Sequence, residues 1–67
     1  MDNWQKIYAT RQPAEASIIQ GMLEENSIPV QVMNKQDSSF NFGEIELYVP
    51  AHLSETAKKL VATNMMN

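Results

Sequence analysis

Glu44 and Glu46 stand two apart in Glu44-Ile45-Glu46-Leu47-Tyr48-Val49, a spacing that sends both carboxylates to one face of an extended strand. With Asp37 they could in principle hold a hard cation, but such ions take about six to eight oxygen ligands, and a solvated strand face is the simpler reading. His52 is the sole imidazole and follows Pro50-Ala51 at the entry to a helical segment. Without an adjacent nucleophile and orienting group it reads as a surface residue at a helix start, not as a general base. Gly21 and Gly43 stand alone, so no glycine-rich loop can cradle a phosphate, and with no Cys there is neither a thiolate metal site nor a disulfide. These residues predict a chain that is not an enzyme and has no catalytic residues, cofactor or metal.

Binding chemistry is better represented. On alternating strands Trp4, Lys6 and Tyr8 fall on one face, as do Gln31 and Met33, and Glu44, Glu46 and Tyr48. Three of the chain's five aromatic residues would then share one sheet surface, where large amphipathic side chains bury area at low entropic cost. Phe40 and Phe42 stand in a polar stretch, either as a clamp for a ligand or peptide or folded back over the end of the core. Tyr8 and Tyr48 also occupy positions that resemble the base-stacking rings of RNA-recognition domains. Glu44 and Glu46 on that face, and a net charge of -3, argue against nucleic acid.

The elements that must position these residues follow from periodicity. Trp4 to Ala9 is a short β-favouring stretch, with Ile7 and Ala9 expected on its inner face. Pro13 suits a first helical turn, Glu15 complements the dipole there, and Ala16, Ile19 and Leu23 recur at helical spacing, which predicts a helix over 13–26. Asn26 is the better candidate than Ser27 for a left-handed helix end. Ile28, Val30 and Val32 alternate with polar or exposed positions over 28–34, with Pro29 suggesting an edge strand. Residues 44–49 alternate most cleanly, and Leu53, Ala57, Leu60, Val61 and Met65 trace a second helix over about 52–64, with Met66 fraying beyond it.

The resulting order, βαββα in one domain over 1–67, fits a two-layer α+β sandwich with both helices on one face of the sheet. A right-handed crossover from strand one to strand two leaves a gap that strand three fills, giving a three-stranded antiparallel sheet of order 1-3-2. This is the ferredoxin-like plan lacking its fourth strand, so the outer edge of strand one is expected to be unpaired and open to a partner.

Composition narrows the partners. A 67-residue chain buries roughly 60% of its extended surface, a thin core that a partner could supplement. Its 5 basic residues are scattered among 8 acidic ones, which disfavours a grip on phosphate backbones. Met1-Asp2-Asn3-Trp4 lacks a basic region followed by an apolar stretch, and no apolar run exceeds three residues, which predicts a cytoplasmic chain without leader or membrane span.

Ala14-Glu15-Ala16, Leu23-Glu24-Glu25-Asn26-Ser27-Ile28-Pro29-Val30, Asn34, Gly43-Glu44-Ile45-Glu46-Leu47-Tyr48-Val49-Pro50 and Ala57 together resemble the small prokaryotic signal-transducing domain family, over nearly the whole chain. The resemblance implies a bacterial, ferredoxin-like or PII-like βαββα module without an assigned reaction. Where the family pattern has a Gly between the first helix and strand two, this chain has Ser27. The expected function is a non-enzymatic regulatory or protein-interaction module that binds a partner protein, or a second copy of itself, through the open sheet face or the strand-one edge. The contact residues would be Trp4, Lys6, Tyr8, Met33, Phe40, Phe42, Glu46 and Tyr48. Sensing of a small effector is the alternative.

Overall fold

The computed structural model describes residues 3–36 and 43–65. At its centre runs β3 (Ile45–Pro50), which pairs antiparallel with β1 (Trp4–Thr10) on one side and β2 (Gln31–Asn34) on the other, in the order β1-β3-β2. The alternation of β3 explains its place. Ile45, Leu47 and Val49 are buried and carry the core's middle, while the intervening residues turn to the opposite face.

The helix α1 (Pro13–Glu25) starts where Pro13 removes an N–H that would have no intrahelical partner, after Gln12 in extended conformation. Thr10 Oγ1 accepts the Gln12 N–H at 3.0 Å and fixes the turn out of β1. Ala16, Ile19 and Leu23 of α1 bury against Ile45, Leu47 and Val49. After a 3-10 turn over Ala51–Leu53, α2 (Ser54–Met65) adds Ala57 and Val61 to the same cluster, with Leu53 and Leu60 at its margin. Both helices therefore lie on one face of the sheet, as the stripes predict. Fully burying side chains of this size gives about 1.5–3 kcal/mol each, so this single layer contact dominates stability.

The end of α1 departs from expectation. Ser27, not Asn26, takes the left-handed conformation, with φ 64°, while Asn26 sits at φ -96°. The closure explains it: Ile28 N–H reaches Leu23 O and Ser27 N–H reaches Glu24 O, both at 3.0 Å, a pattern that places the residue after the cap in the left-handed region. Ile28 thereby enters the core beside Leu23, and Asn26 is used differently, its Nδ2 donating to Met22 O at 2.8 Å.

That closure also shortens β2. The sequence predicts a strand from residue 28, but the Ile28 main chain is committed to α1 and pairing begins at Gln31. Val32, expected to be buried, remains 42% exposed, because the helices lie over β1 and β3. The second helix likewise begins two residues later than predicted, since Ala51–Leu53 wind as a 3-10 turn.

The largest correction concerns β1. Lys6 pairs with Tyr48 and Tyr8 with Leu47, so Ile7 is an extra residue, a β-bulge. One inserted residue reverses the facing of everything after it. Tyr8 and Thr10 thus lie opposite Leu47 and Ile45 on the helix side, and Ala9, expected inside, lies opposite Glu46 on the other face. Ile7 and Tyr8 both pack against the core.

Phe40 and Phe42, like Asp37 and Met66, lie outside the described residues. Gly43, which leads into β3, has φ 91°, and a Cβ there would overlap the Lys35 carbonyl.

Candidate functional site

The sheet face away from the helices is assembled by register. Lys6 and Gln31 flank Tyr48, Ala9 and Met33 flank Glu46, and Trp4 lies opposite Pro50. Of the residues expected on this face, Trp4, Lys6, Gln31, Met33, Glu46 and Tyr48 are brought together, and Tyr8 is not.

Glu46 is the hub. Its Oε1 accepts from Tyr48 Oη at 2.9 Å and lies 3.2 Å from Lys35 Nζ, and its Oε2 lies 3.4 Å from Lys6 Nζ. These neighbours reduce Glu46 to 8% exposure, whereas Glu44, two residues earlier, is exposed. The solvated-strand reading thus holds for Glu44 and fails for Glu46. The hydrogen bond from Tyr48, then that from Lys35, with both lysine charges adding, holds the Glu46 carboxyl below the ordinary carboxylate range. The same bond pushes the Tyr48 hydroxyl above the ordinary tyrosine range. At neutral pH Glu46 is therefore a carboxylate and Tyr48 a neutral phenol. Exposed lysine pairs contribute little stability, so the cluster's effect is to fix side-chain positions across all three strands.

Lys35 was not singled out by the sequence pattern. Its signal is parity: it stands two residues beyond Met33, and its N–H bonds Glu44 O at 3.0 Å, which continues β2's register by one more pair.

On the helix side, Tyr8 Oη donates to Glu15 Oε1 at 2.9 Å. Thr10 first, then Tyr8, lowers the Glu15 carboxyl by hydrogen bonding, and the bond to Glu15 raises Tyr8. Tyr8 is thus a tie between β1 and the first turn of α1. The two tyrosines stand on opposite faces, so they cannot form the paired stacking platform that an RNA-recognition sheet presents.

His52 lies exposed in the 3-10 turn. Among the described residues no three His, Asp or Glu side chains converge in a metal-binding group, no pocket opens, and no helix is long and apolar enough to cross a membrane.

The fold and this face define a small open-faced α+β sandwich, one side covered by helices and the other presenting a polar-aromatic sheet surface. The family described as putative prokaryotic signal transducing protein matches residues 4–64, and the chain belongs to it. A search of the curated proteins and a search of the solved structures each gave no significant match.

Proposed function

We propose that this chain is a non-enzymatic cytoplasmic signalling module that acts by binding a protein partner through its open sheet face. One observation supports this most: Glu46, the acidic residue at the centre of that face, already has its charge compensated by Lys6 and Lys35 and its oxygen bonded by Tyr48. Covering an unpaired charge is costly, but a partner can settle over a carboxylate whose partners are in place. Around it Trp4, Tyr48 and Met33 offer amphipathic and adaptable apolar area of the kind enriched at interfaces. The relief is that of a sheet and not of a cleft, which suits another protein's surface. The family's description as signal transducing accords with a domain whose output is an association.

The test is site-specific photo-crosslinking in cells. A photoreactive residue at Met33 or Tyr48 is expected to capture one discrete protein that the same group at Ile18 or Lys58, on the helical side, does not. Equal capture from both sides, or none from Met33 and Tyr48, contradicts the reading.

A further inference from the structure

Among the described residues, the large hydrophobic side chains that remain exposed are Ile18, Val32 and Met33. Two of these are consecutive residues of β2, and consecutive strand residues point to opposite faces, so no single covering layer could hide both. What hides both is another strand alongside. The main chain is ready for one. Lys35 N–H bonds Glu44 O, and Met33 and Gln31 lie opposite Glu46 and Tyr48 at the same parity, so residues 31, 33 and 35 direct their hydrogen-bonding groups at β3. Val32 and Asn34 then direct their N–H and C=O groups outward, where no described strand meets them. Pro29 shares the parity of residues 31 and 33, so its missing N–H leaves the outward donors intact.

From this geometry we infer that the outer edge of β2 pairs antiparallel with the β2 of a second copy of this chain, around a two-fold axis at Val32. Facing restricts the register, and centring the contact on the exposed Val32 selects one. Opposite residues in a continuous sheet share a face, so paired residue numbers must sum to an even value; an axis at Val32 sets Val32 against Val32 as a hydrogen-bonded pair and Met33 against Gln31. Residues 30–34 carry no charge, so this contact opposes no like charges. Self-pairing also lets a four-residue strand use the donors and acceptors of both copies, joining two three-stranded sheets into one of six. The edge of β1 is less suited, since the Ile7 bulge distorts its ladder and Lys6 adds a charge. This inference is separable from the open-face reading: the edge joins copies beside Met33 and leaves Trp4, Glu46 and Tyr48 of that face available, so capture from Tyr48 tests that reading alone.

Light scattering on the purified chain at sub-millimolar concentration is expected to give twice the single-chain mass of 7.6 kDa. Val32→Lys, at a position that tolerates polarity because it is 42% exposed, is expected to raise the dissociation constant at least tenfold while the circular dichroism of the monomer is retained. Ala9→Lys on β1 is expected to leave the mass doubled. Because the chain has no Cys, Val32→Cys joined by a short bismaleimide is expected to give covalent dimer faster than Ala9→Cys. A single-chain mass for the wild type, an unchanged dissociation constant in Val32→Lys, or faster linking at position 9 overturns the inference.

Discussion

Tyr8 and Tyr48 stand on opposite faces of the same sheet, and each donates its hydroxyl to a glutamate at 2.9 Å: Tyr8 to Glu15 across to the helix, Tyr48 to Glu46 along its own strand. A single bulge residue, Ile7, separates their roles. Without it Tyr8 would join Lys6 on the open face; with it, one tyrosine fastens β1 to α1 and the other helps shape the open face.

These pairs give stability two pH limbs of opposite sign. Glu15 and Glu46 have depressed folded-state values, so their contribution is present above the ordinary carboxylate range and is lost as pH falls through their folded values. Tyr8 and Tyr48 have raised values, so theirs is present below the ordinary tyrosine range and is lost as pH rises through their folded values. Thermal unfolding against pH should show a plateau with both limbs. Glu46→Gln should shrink both limbs, leaving the Glu15 and Tyr8 contributions, while a profile identical to wild type refutes the hydrogen bonds assigned to Glu46.

Ser27 holds a left-handed backbone that costs a residue with a Cβ roughly 1–2 kcal/mol; Gly removes that cost but loses part of the gain through its greater unfolded-state entropy. Ser27→Gly is expected to stabilise the fold by about 0.5–1 kcal/mol in urea denaturation. Gly43→Ala is expected to do the reverse by more than that, because its Cβ meets the Lys35 carbonyl. Equal stability of all three chains contradicts both conformations.

Leu47, at 0% exposure under both helices, should cost about 2–5 kcal/mol when changed to Ala. Val32→Ala, in the neighbouring strand but 42% exposed, should stay within about 0.5 kcal/mol in dilute solution, where the chain is monomeric. Comparable costs at the two sites would mean that the helices cover β2 as well.

Deleting Ile7 should leave a folded chain, because Trp4 to Lys6 and Tyr8 to Thr10 then meet residues 50 to 45 in unbroken register. The expected loss is that of a partly buried isoleucine, about 1–3 kcal/mol. Deleting Ala9 instead keeps the bulge and misaligns Thr10, and should be the more damaging change. Near-ultraviolet circular dichroism and urea midpoints distinguish them.

The element order and the sheet order were legible because they rest on periodicity: the alternation of Ile45, Leu47 and Val49, and the helical recurrence of Ala16, Ile19 and Leu23. Features decided by one residue's backbone were not. The bulge at Ile7 leaves no mark in a sequence that alternates acceptably on either register, and it moved Tyr8 and Ala9 to the wrong faces. Ser27 is left-handed because Leu23 and Ile28 must meet in the core, a tertiary demand that outweighs Asn26's intrinsic tolerance. The Glu46 hub was half visible: its face was read correctly, but its burial depends on Lys35 and Lys6 arriving from both neighbouring strands.

The claim that function resides in the open face is tested most directly by affinity. With the protein captured from Met33 and Tyr48 purified, Tyr48→Asp is expected to weaken its binding at least tenfold, about 1.4 kcal/mol, while Ile18→Asp on the helical side leaves it unchanged. Wild-type affinity in Tyr48→Asp, with the loss appearing in Ile18→Asp instead, would place the interface on the helices and contradict the account.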